Sequence, residues 1–465
     1  MNKEVKLEDI VSLAKRRGFI YQGSEVYGGL SGTWDYGPLG VALKRNIMNL
    51  WWQMFVEDRD DMYGVDAAIL MNQKVWQASG HVDTFTDPLV FCKKCHSRHR
   101  ADKLENPNKC PVCGEEGSFT DPVQFNMMFE TVVGPAGFGG FNSIELENGE
   151  TYTKPQAEET NIAALIFDKN DRSYLRPETA QGIFTNYKNV VDSFYPDLPF
   201  GIAQQGKAFR NEISPRDFVF RSREFEQMEV EYFVHPEKWE EAFEQWRKDI
   251  EVFLDKLGLP RESVEEVEVP ENDRAHYSKR TIDYEFAFPH GKDELLGLAY
   301  RTDFDLANIQ RASGKTMEYH VKGSDETFVP HVIEPSFGVE RALMAVLTSA
   351  YREDEQNGEK RIYLALPEHL APVKYAVSPL LKNKPELVEK AREVYQMLKK
   401  KYGTVMWDDN GNIGKRYRRQ DEIGTPHCVV IDFKTLENNT VTVRDRDTTE
   451  QKRVEIGSLD SEPST

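Results

Sequence analysis

The sequence predicts an α+β fold: an antiparallel sheet flanked by helices, interrupted early by a cysteine ribbon and followed by a separate α/β module. Three observations predict it. Strand-like runs at residues 201–205 and 225–234 lie among only a few helical segments, without the strand–helix alternation of a doubly wound sheet. Two CxxC pairs stand at Cys92/Cys95 and Cys110/Cys113. After residue 361 the texture changes to strand, helix, strand.

At 465 residues the chain has room for about three domains. An apolar fraction of 39% and 31 glycines suit a packed chain and exclude a disordered or fibrous one. The 59 basic against 78 acidic residues give a net charge of −19, which excludes a generally adhesive polyanion binder. No stretch approaches the roughly 18 apolar residues that cross a bilayer. Lys3, Glu4, Lys6, Glu8 and Asp9 stand where a signal peptide needs an apolar core. A cytoplasmic protein without a membrane partner is expected.

In chain order, Gly37-Pro38-Leu39-Gly40 leads into a helix over residues 41–55. The CxxC turns follow. Two residues between thiolates let both sulfurs of a tight turn face one tetrahedral ion, so Cys92, Cys95, Cys110 and Cys113 predict a structural Zn²⁺ ribbon. A redox dithiol pair or an iron site is the alternative. Four thiolates leave no open coordination position, so the ion would hold a fold without activating water. Residues 92–113 carry six basic and two acidic side chains, a net +4 suited to phosphate. Residues 133–170 read as an extra strand-like, glycine-containing insert.

Residues 209–229 read as a hairpin, a strand that breaks at Ser214-Pro215 and returns through Phe220. Lys207, Arg210, Arg216, Arg221 and Arg223 against Glu212 and Asp217 make residues 207–223 +3. Arginines alternating along a hairpin suit a bidentate grip on phosphate oxygens. Trp239, Phe243, Trp246, Ile250, Phe253, Leu254 and Leu257 lie at helical spacing over residues 236–258, between Pro236 and Gly258. Residues 334–341 run straight into an apolar helix, and an arginine in the first turn of a buried helix has little structural motive. The charged run 352–361 reads as a turn, with a domain boundary near 360. A strand over 373–377, a helix opened by Pro385 and a strand over 404–407 then form a βαβ unit. Strands at 426–432 and 440–443 complete the module, Cys428 is expected to be a buried small hydrophobe, and the tail 457–465 is expected to fray. The division is 1–90, the first part of the main domain; 91–120, the ribbon; 121–358, the rest of the main domain; and 359–465, the α/β module.

The strings at 37–40, 209–229 and 338–341 resemble the three signature motifs of class II aminoacyl-tRNA synthetases. Longer strings narrow the resemblance: DYGP (35–38), AAIL (67–70), RHRADK (98–103), RPETAQGIF (176–184), REFEQME (223–229), RTDFDL (301–306) and GKRYRRQDEIGTP (414–426). They resemble the single-chain, homodimeric glycyl-tRNA synthetases of the bacterial type, over about residues 18–453.

The resemblance implies a class II catalytic domain with a C-terminal anticodon-binding domain. The implied reaction is two-step: glycine attacks the α-phosphorus of ATP to give glycyl-adenylate and pyrophosphate, and a 3′-terminal ribose hydroxyl of tRNA(Gly) then takes the glycyl group. Arg210, Glu212 and Arg341 are the implied catalytic residues. ATP contacts fall on Arg210, Asn211, Glu212, Phe220, Arg221, Ser222, Arg223, Glu224, Phe225, Glu294, Leu295, Gly338, Val339, Glu340 and Arg341, with Mg²⁺ on Glu294. Glycine contacts fall on Arg100, Glu178, Phe225, Glu226, Gln227, Met228, Glu229, Glu334, Pro335, Ser336, Phe337 and Gly338. Arg301 is either a further contact or the structural partner of Asp303 or Asp305. Lys415, Arg416, Tyr417, Arg418 and Arg419 would meet anticodon bases, with Lys434, Arg444, Arg446, Lys452 and Arg453 adding charge. A class II synthetase for another small amino acid, such as serine, proline or threonine, and a non-catalytic tRNA-binding paralogue are the alternatives.

Overall fold

The computed structural model describes residues 5–133, 143–145, 151–153, 172–275, 277–356 and 358–460. Most of the insert expected over 133–170 lies outside the described residues. The central feature is a seven-stranded sheet. In chain order its strands are β1 (Met62–Gly64), β2 (Phe200–Phe209), β3 (Glu224–Val234), β4 (Val264–Glu268), β5 (Arg280–Phe288), β6 (Gly291–Thr302) and β7 (His331–Gly338). The spatial order is β4-β5-β6-β7-β3-β2-β1, antiparallel except where β1 joins β2. Antiparallel pairing from hairpins agrees with the absence of strand–helix alternation in the sequence.

The helices against the sheet include α1 (Pro38–Trp52), α2 (Ala180–Phe194), α3 (Trp239–Lys256), α4 (Phe304–Ser313) and α5 (Val339–Ala350). Proline at the first turn of α1 suits a position whose N–H would be unsatisfied anyway. Leu43, Ile47 and Trp51 bury one face of α1. At Gly40 a Cβ would stand 1.9 Å from the Phe19 carbonyl oxygen, so only glycine admits this approach. A single π-helical turn, Gln53–Glu57, extends the helix beyond Trp52. On α3 the expected stripe is the buried one, with Phe253 against Phe55 and Phe337. This core joins α1, α3, α5 and the sheet.

The hairpin expected over 209–229 is paired at its base and at one isolated bridge, Arg216 with Arg221. Phe209 faces Glu224, and residues 210–223 form a long loop. The run 352–361 is not a turn but the greater part of a hairpin, β8 (Tyr351–Gln356) and β9 (Glu359–Leu364). Charged residues face charged residues across it, Asp354 with Arg361 and Glu355 with Lys360, which hid the strand period from a hydrophobicity pattern.

The C-terminal module holds β10 (Tyr375–Pro379), α6 (Pro385–Tyr402), β11 (Val405–Trp407), α7 (Ile413–Glu422), β12 (His427–Ile431), β13 (Thr440–Asp445) and β14 (Gln451–Glu455). The sheet order is β11-β10-β12-β13-β14, parallel through β11, β10 and β12. The βαβ unit stands as expected, and Cys428 is buried. α7 and β14 were not foreseen. The tail does not fray at once: Ile456–Asp460 is a 3₁₀ turn whose Ile456 and Leu459 enter the module's core. Leu364, Leu366, Leu370 and Val373 pack with the main core, which therefore continues past 360 to about 373.

The three-stranded ribbon sheet has Thr86–Phe91 in the middle, between Arg98–Arg100 and Val123–Asn126. Among the described residues no helix is long and apolar enough to cross a membrane.

Candidate active site

A cleft of about 460 Å³ opens on one face of β5, β6, β7 and β3, roofed by the 210–223 loop. Successive side chains of a strand point to opposite faces. Phe225, Gln227 and Glu229 on β3, and Glu334, Ser336 and Gly338 on β7, therefore line it together. Glu229 and Ser336 are direct cross-strand partners, and the Ser336 hydroxyl donates to Glu229 at 2.7 Å. The Thr179 hydroxyl donates to the other Glu229 oxygen at 2.5 Å.

Arg301 lies at the floor, 1% exposed. Its Nη1 donates to Glu334 at 2.7 Å, and its Nε and Nη2 donate to Asp305 at 2.8 and 2.9 Å. Of the two partners expected, Asp305 is the one it takes. Glu178 meets His81 Nε2 at 3.3 Å. Burial would raise the pKa of Glu178, but His81, Arg301 and Arg210 outweigh it and hold the carboxyl down to about 2. Burial and neighbouring carboxylates win at the other two: Glu229 is raised, and Glu334 is pushed up to about 8 despite Arg301. Glu178 Oε1 and Gln227 Oε1 are buried acceptors without a hydrogen-bond partner among the described residues. Buried orphan acceptors beside an open cleft call for a donor-rich ligand.

The opposite end carries the arginines. The Arg210 guanidinium lies 5.3 Å from the Phe225 ring and donates to the Pro177 carbonyl at 3.1 Å. Arg341 pairs with Glu294 at 3.0 Å and lies over the Phe220 ring at 4.6 Å. Arg341, foremost, lowers the pKa of Glu294. Burial and then Glu294 push Asp283 up to about 6. Arg221 reaches Glu212 at 3.9 Å, and Arg100 is held by Asp87 at 2.7 Å and Asp102 at 2.8 Å.

The cleft thus gathers Arg100, Glu178, Arg210, Glu212, Phe220, Arg221, Ser222, Phe225, Gln227, Glu229, Glu294, Leu295, Glu334, Ser336, Gly338, Glu340 and Arg341. It does not gather their neighbours on the opposite strand face. Met228, Phe337 and Val339 enter the hydrophobic core, Pro335 points away from the cleft, and Glu226 turns to Lys44. Asn211 and Arg223 belong to the loop without lining the cleft; Arg223 donates to the Glu212 and Ser31 carbonyls, and Glu224 pairs with Lys207. So only part of each contiguous string expected lines the cleft. His81, Thr179, Glu231, Asp283 and Tyr277 were not foreseen. The i, i+4 spacing of Arg301 and Asp305 was a legible sign of their pairing; nothing in the sequence marks His81, which arrives from a separate short helix.

The four ribbon cysteines converge, all Sγ atoms lying within 4.8 Å of one another. Cys92 and Cys113 sulfurs are 3.6 Å apart, and Cys95 and Cys110 sulfurs 3.7 Å. Thiolates 2.3 Å from a tetrahedral ion stand about 3.8 Å from one another, so the set fits zinc. A second cleft of about 410 Å³ separates the ribbon from the 210–223 loop; Lys103, Lys109 and Arg216 line it, and Arg100 and Arg221 line both clefts.

In the C-terminal module the basic string at 415–419 divides. Arg416 is 3% exposed and donates to the carbonyls of Pro379, Asp409 and Gly411, so it holds the fold and is not available to bases. Arg444 and Arg446 are likewise buried, Arg444 paired with Asp421. Lys415 is exposed. Arg418 pairs with Glu359 and Arg419 with Asp408 near the surface. Arg444 lies 4.7 Å from the Tyr417 ring.

Residues 161–350 match the family model "tRNA synthetase class II core domain (G, H, P, S and T)", and residues 374–462 match "Anticodon binding domain". Curated glycine–tRNA ligases are similar along their length. That of Borrelia garinii subsp. bavariensis is 46% identical over 98% of this chain and 96% of its own. Those of Thermobifida fusca and Clostridium kluyveri are 44% and 45% identical, each over 98% of this chain and 97% of their own. The fold is also that of a Giardia lamblia prolyl-tRNA synthetase solved with prolyl-adenylate, with a TM-score of 0.64 at 16% identity, over 98% of this chain and 76% of that one.

Proposed function

This chain belongs to the glycine–tRNA ligase family of class II synthetases, and from that premise we propose how its cleft performs the reaction. The chain joins glycine to tRNA(Gly) through glycyl-adenylate, with ATP as the second substrate. The orphan acceptors Glu178 Oε1 and Gln227 Oε1, set beside Glu229 and Glu334, carry the assignment of the glycine end. A ring of acceptors suits an ammonium, which has three donors and no acceptor. Glycine has no side chain to grip, so selectivity rests on fixing the ammonium and leaving no room for a methyl group; attraction alone separates one methylene by only about 1–3 kcal/mol.

Arg210 bridges the glycine carboxylate and the α-phosphate, Arg341 and Arg221 hold the outer phosphates, and Phe225 stacks on adenine. Glu212, whose Oε2 accepts no hydrogen bond among the described residues, reads the adenine amino group. Attack on phosphorus needs no protein nucleophile. The residues align anions that repel one another and offset the charge that grows on phosphate. Glu294 and Asp283 would hold Mg²⁺, which accepts carboxylate and phosphate oxygens and would supply positive charge against the phosphates when bound. Zn²⁺ on the four cysteines would fix the ribbon.

The tRNA 3′ strand reaches the cleft past the ribbon, where Lys103 and Lys109 form no ion pair among the described residues. Lys415, Tyr417, Arg418 and Arg419 remain the anticodon contacts. A homodimer through the segment around Pro38 and a cytoplasmic setting complete the reading. Amino-acid-dependent ATP–pyrophosphate exchange tests it. Exchange with glycine, and none with alanine, serine or proline, is expected; exchange driven equally by alanine would overturn the pocket assignment.

A further inference from the structure

Glu231 is a buried carboxyl that the reaction outlined above does not use. It follows Gln227 and Glu229 along the cleft face of β3, is 0% exposed, and neither of its oxygens has a hydrogen-bond partner among the described residues. The register that pairs Gln227 with Gly338, Glu229 with Ser336 and Tyr232 with Ile333 sets Glu231 opposite Glu334. Cross-strand side chains so placed have Cβ atoms roughly 4.5–5.5 Å apart, and like charges there repel.

The cation beside them cannot serve both. Arg301 on β6 donates through Nη1 to Glu334, and through Nε and Nη2 to Asp305 on α4. The groups acting on Glu231 are Glu229 on its own strand, Glu334 on β7, Arg301 on β6 and Asp305 on α4. Glu178 and Tyr277 add to the field around Glu334 and Arg301. On the β2 side its partner is the uncharged Ile202. Burial first, and Glu334 second, raise the pKa of Glu231 well above the carboxylate range, while Glu334 itself stands at about 8. Two facing carboxyls in a dry layer titrate as a pair, and the second ionisation is strongly disfavoured.

We infer that Glu231 and Glu334 share a proton in the empty cleft, and that the substrate's ammonium displaces it to solvent. The inference rests on the reading of Glu334 as an ammonium contact. The proton leaves for water as the ammonium enters, so the net charge of the layer is unchanged and no covalent bond is made or broken. Glu231 touches no substrate atom. It is a positioning residue that keeps Glu334 neutral until a cation arrives, so carboxylic acids without an amine gain nothing from the pocket. Glutamine could replace its bulk but could not take part in the exchange.

Calorimetric titration of glycine into the full chain at pH 7, in two buffers of different ionisation enthalpy, counts the proton. Release approaching one proton per site is expected, with glycine affinity rising between pH 6 and 8 by up to about tenfold per unit. Binding without proton release by the unaltered chain overturns the inference, whether or not any variant folds. In Glu231→Gln, release should fall to less than half and the pH slope should flatten while the KM for ATP holds; unchanged release removes Glu231 from the pair. Glu334→Gln separates the two levels. Unchanged glycine affinity in that variant sinks the ammonium assignment itself, whereas lost affinity together with zero release in the unaltered chain sinks only the shared proton.

Discussion

Glu178 is buried, yet His81 and the guanidiniums of Arg301 and Arg210 keep it ionised, and this makes it a standing negative charge at the end of the cleft proposed to take glycine. Replacing it with glutamine removes a charge-assisted hydrogen bond of about 1.5–3 kcal/mol, equivalent to a KM for glycine raised roughly ten- to a hundredfold. The KM for ATP should hardly move, and steady-state exchange at varied glycine and varied ATP checks both. Arg301 acts differently, since Glu334 and Asp305 both depend on it. Its replacement by methionine leaves two buried carboxyls without their cation and should cost about 3–5 kcal/mol of stability, read from the urea midpoint. Both residues lie in strings that the sequence made conspicuous. The partner His81 did not, because its contact with Glu178 joins residues nearly a hundred positions apart.

The element scale shows how strand alternation edits a motif. Residues 225–229 and 334–338 read as continuous strings, but the pleat sends Phe225, Gln227 and Glu229 to the cleft and Glu226 and Met228 away from it. At the start of α5, Glu340 ties three segments together: it accepts from the Tyr36 hydroxyl at 3.1 Å and from the Glu226 amide at 2.9 Å. Burial, chiefly, pushes its pKa up to about 7 from an ordinary 4.5. A carboxyl raised on folding binds its proton more tightly in the folded chain, so its stabilisation is complete below pH 4.5 and is lost as pH rises to about 7. Glu340→Gln lacks this loss. The variant should therefore gain stability relative to the parent between pH 4.5 and 7.5, and a constant difference across chemical denaturation curves would contradict the assignment. In the ribbon, the converging sulfurs predict about one zinc per chain by elemental analysis. Cys110→Ser should lower that content and weaken transfer to tRNA more than glycine-dependent exchange.

The whole molecule joins its catalytic and C-terminal parts through buried ions. Arg361, 0% exposed on β9, pairs with Asp354 at 2.5 Å and reaches Asp421 at 3.4 Å and the Arg446 carbonyl at 2.7 Å. Arg17 adds an ion pair with Glu422 at 2.5 Å. If this junction fixes the angle between the parts, Arg361→Met should lower aminoacylation by a coupling of about 1–3 kcal/mol, at least fivefold, while exchange stays near the parent rate. Equal losses in both assays would mean that the junction only supports the fold. A truncation meant to isolate the catalytic part must keep residues to about 373, since Leu364, Leu366 and Leu370 belong to the main core. The overall charge of −19 is likewise an average, with residues 231–274 at −8 against the ribbon at +4. By itself the sequence determined the fold class, the α3 stripe, the cysteine site and the family, because these depend on local period, spacing and contiguous strings. Only the tertiary structure decided which half of each string faces the cleft, that Arg416 and Arg444 are interior, that the 352–361 run pairs as a hairpin, and which buried carboxyls stay charged. Those outcomes depend on which groups meet across strands and domains, and on how much water is left between them.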